Sequence, residues 1–189
     1  MFELKKSSGS TQRRGVLHTV HGDIETPCFM PIATYGAVKT LTPDDLKRVG
    51  VSLILSNTYH LLCRPGMDAM RAEGGLHSWM HWDQPILTDS GGYQVFSLAK
   101  MNRVTENGVT FQSHIDGARI DLSPEQSIAM QQAIGSDIMM PLDVLLPSSA
   151  TVEDAREAMQ RSVRWAQRSK DYLESHREDS LWHCARRRV

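Results

Sequence analysis

The residues of this chain whose types and positions suit chemistry are Asn57, Asp89 and Asp143, each placed just past a run of apolar residues. Val51 to Leu55 leads towards Asn57, Ile86 to Thr88 leads to Asp89, and Ile138 to Leu142 leads to Asp143. If such runs are parallel strands, the turns after them line the ligand crevice, so the three side chains reach one rim. Two carboxylates on one rim suit work on a glycosidic bond. One moves protons while another group steadies an oxocarbenium-like centre or holds the edge of a base. After Asp89 the chain reads Ser90-Gly91-Gly92-Tyr93. The glycines permit a tight turn and a close backbone approach, leaving room for a flat ligand on which Tyr93 can stack. The plainer alternative is a Ser-Gly-Gly turn with a solvated aspartate, and for Asp143 a helix-capping or loop aspartate.

The elements that must position these residues follow from periodicity and turn chemistry. Arg14 to Thr19, a turn at His21-Gly22-Asp23 and Ile24 to Thr26 predict a hairpin. Phe29 to Ala33 predicts a first core strand, and Thr42-Pro43-Asp44-Asp45 opens a helix that runs to Val49 and stops at Gly50. Val51 to Leu55 is a second strand of the buried parallel type. Met67 to Glu73 is a helix, Leu76 to Trp82 a Trp-rich packing segment, and Ile86 to Asp89 a third strand. Val104-Thr105, Val109 to Phe111 and Arg119 to Leu122 predict a small antiparallel excursion, with turns at Asn107-Gly108 and Asp116-Gly117. Ser123-Pro124-Glu125-Gln126 opens a helix to Ile134 in capping-box style, and Ile138 to Leu142 is a fourth strand. Thr151 to about His176 is a long amphipathic helix carrying Ala155, Met159, Val163 and Trp165-Ala166 at helical spacing. Buried strand, polar turn and helix recur about four times, which argues for an α/β protein with parallel βα units. The alternation fits a barrel or an open doubly wound sheet equally well.

With 189 residues and 40% hydrophobic content, the chain can bury a sizeable core as one domain. A net charge of -1 gives no global positive field for nucleic acid, although a local patch can still bind RNA. Cys28, Cys63 and Cys184 form neither a C-x-x-C pair nor a disulfide framework, which fits a reducing cytosol. The start has no apolar core of signal-peptide length, and no run approaches a membrane span, so a cytoplasmic protein with no membrane partner is expected.

The stretch Leu87-Thr88-Asp89-Ser90-Gly91-Gly92-Tyr93-Gln94-Val95-Phe96-Ser97-Leu98 resembles the signature of the tRNA-guanine transglycosylases. That family exchanges guanine in the wobble position of certain tRNAs for a 7-deazaguanine. Further blocks resemble the family in the same order. They are Glu25 to Pro31, Ser56-Asn57-Thr58-Tyr59-His60-Leu61 with Arg64-Pro65-Gly66, Leu122 to Ser127, and Gly135 to Met140. The likeness covers about residues 2 to 181 and leaves 182–189 as a tail that does not match. It implies the (β/α)8 TIM-barrel fold, here an incomplete barrel of about four βα units. It also implies that Asp89 is the general acid/base, with Ser90 beside it. By the same resemblance Gly91 and Gly92 make room for the base, Tyr93 stacks on it, Asp143 bonds the purine edge, and Asn57 lines the pocket. The partners so implied are tRNA with a GUN anticodon, queuine or 7-aminomethyl-7-deazaguanine as the incoming base, and a homodimeric or heterodimeric assembly. For His60 a structural role is favoured. The tryptophans, among them Trp79 and Trp82, read as core or subunit contacts rather than base platforms.

The chain departs from the family at two places. After Asp143 the family has a second acid and often a cysteine, where this chain has Val144 and Leu145, so the base-binding floor is more apolar and the preferred deazaguanine is left open. Family members also continue through a glycine-containing loop, an aspartate nucleophile and a Cys3His structural zinc site, none of which is in this sequence. No cofactor is expected in this chain, and a closed eight-stranded barrel takes roughly 250 residues. The tail Trp182 to Val189 reads as an out-of-frame translation, with a basic RNA-touching end at Arg186 to Arg188 as the rival. Two functions stand: a transglycosylase working by double displacement, or a non-catalytic fragment or accessory subunit that binds a full-length transglycosylase. An unrelated barrel or open-sheet enzyme would require every block to be coincidental.

Overall fold

A computed structural model describes residues 1–9, 11–98 and 102–176, so the tail at 182–189 lies outside the described residues. In chain order the elements begin with β1 (Phe2–Ser7), β2 (Arg13–Thr19), β3 (Gly22–Thr26), α1 (Pro43–Arg48) and β4 (Ile54–Asn57). There follow α2 (Thr58–Cys63), α3 (Met67–Ala72), α4 (Leu76–Met80), β5 (Ile86–Asp89) and α5 (Gly92–Leu98). The last are β6 (Asn102–Val104), β7 (Val109–Gln112), β8 (Arg119–Leu122), α6 (Pro124–Ile134), β9 (Ile138–Met139) and α7 (Val152–Ser175).

These strands form three sheets of three, β1-β2-β3, β4-β5-β9 and β6-β7-β8. The first is antiparallel, so the predicted hairpin gains β1 as a third strand, with Phe2 opposite Leu17. The third is the predicted antiparallel excursion. The second is parallel and pairs Asn57 with Asp89 and Leu87 with Ile138. The chain is therefore α/β, and among the described residues the sheets do not close into a barrel.

Two expected strands are shorter than the apolar runs suggest, and proline explains both. Phe29 to Ala33 makes only one parallel bridge, Ile32 to Leu55, with Ala33 N donating to Leu55 O at 2.7 Å and Leu55 N to Pro31 O at 3.0 Å. Pro31 has no N–H to continue the ladder, and Phe29 stands 82% exposed. The fourth run pairs only at Ile138–Met139, because Pro141 removes the next donor. The second strand starts later than the run predicts, at Ile54, and ends on Asn57 itself.

One core cluster lies under the parallel sheet, where Ile54 and Ile86 meet Leu46, Met70, Leu76, Trp82 and Met130. A second joins Tyr59, Val95, Phe111, Leu122, Leu142 and Trp165. Helix α7 buries Trp165 as expected, but Ala158 and Ser169 point inward beside it, while Ala155, Met159 and Val163 are exposed, the last two at 55% and 62%. The large Trp165 ring needs small neighbours one and two turns away on its own face, and Ala158 and Ser169 supply them. Its indole N–H donates to Glu106 O at 2.9 Å, so the one polar atom of that ring is satisfied. Trp82 is likewise core, whereas Trp79 is 46% exposed.

Candidate active site

Asp89 closes β5, and its carboxylate is held from the neighbouring strand end. Asn57, the last residue of β4, donates its side-chain amide to Oδ2, while Thr58 N reaches Oδ1 at 3.1 Å and Gly91 N reaches the same oxygen at 3.2 Å. The Thr58 hydroxyl donates to the Asp89 backbone carbonyl. Asn57 also caps α2, its Oδ1 accepting from His60 N at 3.1 Å. One asparagine thus orients both the helix and the carboxylate, with its donor and acceptor ends in separate uses. Burial raises the Asp89 pKa to about 6; the Thr58 and Gly91 N–H groups oppose that rise and the Asp143 charge adds to it. An acid so tuned can give and take a proton near neutral pH.

Asp143 stands on the same rim, exposed at the end of the β9 run. Ser90 Oγ donates to Asp143 Oδ1 at 3.1 Å and accepts from Gly92 N at 3.2 Å. A Cβ on Gly92 would meet Asp143 Oδ1 at 2.7 Å, so only glycine lets the two segments touch. Gly91 has a φ of +85° and lies against Tyr59, where a Cβ would come within 3.2 Å of the Tyr59 Cβ and N. Val95, Phe96, Val144 and Leu145 wall a small cleft beside Asp143. Tyr93 is 62% exposed on the first turn of α5. The structure thus brings Asn57, Asp89, Ser90, Gly91, Gly92 and Asp143 together, with Tyr93 presented to solvent beside them.

Polar groups of α6 set this arrangement from beneath. Ser127 Oγ donates to Ser90 O at 3.0 Å. Gln131 accepts from Met140 N and donates to Met140 O, both at 2.9 Å, and accepts from Thr88 Oγ1 at 2.9 Å. It thereby replaces the ladder that Pro141 interrupts and aims the chain at Asp143. Sequence reasoning missed Thr58, Ser127 and Gln131. The signal available was polar residues inside otherwise apolar helical and strand patterns, since buried polar side chains must find partners.

His60 is 8% exposed, with Nδ1 buried and unpartnered. Its ring meets Tyr35 at 4.6 Å and, edge-on, Tyr59 at 5.2 Å, and burial together with His114 lowers its pKa. A neutral packing role follows. Cys28 and Cys63 are free thiols. No helix among the described residues is long and apolar enough to cross a membrane.

The family model described as "Queuine tRNA-ribosyltransferase" matches residues 8–185. The chain belongs to this family. Among relatives of the queuine tRNA-ribosyltransferase family, proteins of that name from Psychrobacter cryohalolentis and Dictyoglomus turgidum are 52% and 51% identical over 168 and 173 residues. That from Syntrophobacter fumaroxidans is 56% identical over 159 residues. These matches cover 88%, 91% and 84% of this chain but 44%, 45% and 43% of the relatives. The chain therefore spans less than half the length of the queuine tRNA-ribosyltransferases it matches.

Proposed function

We propose that this chain carries the Asp89–Asp143 portion of a tRNA-guanine transglycosylase site, on part of a (β/α)8 barrel of which β4, β5 and β9 are parallel strands. The reading rests on one observation: Asp89, raised to about 6, shares a rim with Asp143 through Ser90. Attack of a carboxylate at the wobble ribose C1′ forms a C–O bond as the bond to guanine breaks, leaving a covalent ribosyl ester. That nucleophile belongs to a part of the family sequence outside these residues. Asp89 gives a proton to the departing guanine and, once ionised, takes one from the incoming base before that base displaces the ester. Asp143 accepts from the ring N–H and amino group of the purine, and Tyr93 stacks on its face. The substrates are tRNA with a GUN anticodon and either queuine or 7-aminomethyl-7-deazaguanine. The setting is the cytoplasm, with the enzyme assembled as a homodimer or heterodimer.

The experiment is incubation of the purified chain with tRNA and labelled guanine. Incorporation that Asp89→Asn abolishes supports the reading, and no incorporation at high protein concentration means the chain alone is inert. The second reading is a non-catalytic partner of a full-length transglycosylase. The apolar stripe of Met159 and Val163, exposed on α7, favours it. Co-purification with a full-length transglycosylase supports that reading, and failure to co-purify rejects it.

A further inference from the structure

At the opposite end of β5 from Asp89, three distant segments converge on one buried carboxylate. His21 comes from the β2–β3 turn, His77 from α4, and Asp137 from the loop that follows α6. The Asp137 side chain is fully buried, His77 is 15% exposed and His21 28%. His21 Nδ1 lies 3.0 Å from both Asp137 oxygens, and His77 Nε2 lies 3.7 Å from Oδ2. The two imidazoles stack with centroids 3.7 Å apart, so their nitrogen edges face the same carboxylate.

The hydrogen bonds around these groups are those of a ligand set. His77 Nδ1 faces Trp82 O at 2.9 Å, and Nε2 faces Gly135 O at 3.2 Å. Carbonyls only accept, so both ring nitrogens of His77 face acceptors, and Nε2 faces the Asp137 carboxylate as well. With the ring proton on Nδ1, a metal ion beside Nε2 satisfies all of them; a second proton on Nε2 is the alternative, and metal titration separates the two. A histidine that donates its far N–H to a backbone carbonyl is also the usual support of a metal-bound imidazole. Asp137 is supported too: Ile86 N donates to Oδ2 at 3.0 Å and His21 N to Oδ1 at 3.2 Å. The ligand atoms of the three residues all lie within 4.8 Å of one another. Ligands at about 2.1 Å from a tetrahedral zinc stand about 3.4 Å apart, between the 3.0 and 3.7 Å found here.

We propose that His21 Nδ1, His77 Nε2 and Asp137 form a binding site for a borderline divalent transition ion, with Zn2+ as the best fit. Two imidazoles and one carboxylate suit Zn2+, whereas Mg2+ and Ca2+ demand an all-oxygen shell. Gly135 O or a water on the exposed His21 side completes the four. The ion is structural: it pins the N-terminal sheet to the end of the parallel sheet remote from Asp89.

The test is titration of the chelator-treated 189-residue chain with Co2+ and Zn2+. Expected are one equivalent of Co2+ with visible d–d bands and no strong thiolate charge-transfer band, and a thermal midpoint that rises with added Zn2+. His21→Gln and His77→Gln each weaken binding at least about tenfold and remove the Zn2+-dependent rise. No saturable binding at submillimolar metal overturns the proposal, as does binding that neither substitution alters. Because His21 lies on a half-exposed turn, His21→Gln keeps the fold, and the wild-type thermal shift gives a second readout independent of any variant.

Discussion

Replacing Asp89 by Asn tests the electrostatics of the site without reference to turnover. Asp89 titrates near 6 when folded, because burial disfavours its charge, against an ordinary value of 3.8. Below pH 4 the carboxyl is protonated in both folded and unfolded chains and contributes no difference. Between pH 4 and 6 the folded chain holds a proton that the unfolded chain has lost, so wild-type stability falls as pH rises. Above 6 both forms are ionised and the loss is complete, at about 3 kcal/mol. The amide of the Asp89→Asn variant does not titrate. The stability difference, variant minus wild type, therefore climbs by about 1.4 kcal/mol per pH unit between 4 and 6 and then levels off. A pH-independent offset of about 1 kcal/mol, for the hydrogen bond lost from Asn57, lowers the whole curve. Urea unfolding followed by the fluorescence of buried Trp82 and Trp165, at half-unit steps from pH 4 to 7.5, measures it. A difference that stays flat across that range, or one that falls, refutes the account of Asp89 as a carboxyl held up by burial.

The remaining predictions concern the supports of the site. Gly91→Ala puts a Cβ at a φ of +85° and within 3.2 Å of Tyr59, so it lowers stability by about 2 kcal/mol in urea unfolding; a change below 0.5 kcal/mol contradicts the close approach. Gln131→Leu strands Met140 N and O, while the Thr88 hydroxyl keeps Ser136 Oγ at 2.7 Å; it costs about 3 kcal/mol in the same assay and broadens the amide resonances of residues 138–143, and unchanged spectra would show that Gln131 does not set that segment. Trp165→Ala empties the centre of the second core cluster and costs about 3–5 kcal/mol, whereas Met159→Gln, on the exposed face of α7, moves stability by less than about 0.5 kcal/mol. Equal effects for these two would restore the face that periodicity alone suggested.

Local chemistry made much of this molecule legible without coordinates. The caps at Thr42, Ser123 and Thr151 all form capping boxes, because a hydroxyl three residues before an acid or Gln satisfies the orphan N–H groups wherever the helix packs. The strand Ile86–Asp89 and the antiparallel trio β6-β7-β8 were equally readable, from an apolar run and from glycine turns. So was the convergence of Asn57 and Asp89, since strand ends in parallel register share an edge. Tertiary structure decided the rest. Two prolines cut apolar runs that composition alone would have extended, because a missing N–H matters only where a partner strand lies beside it. The inward face of α7 depended on where Trp165 found room. Helices α2 and α5, begun by Asn57 and by the glycines, carry no long periodicity to announce them. The meeting of His21, His77 and Asp137 joins residues up to 116 positions apart, and only the packed chain brings such groups within reach of one ion.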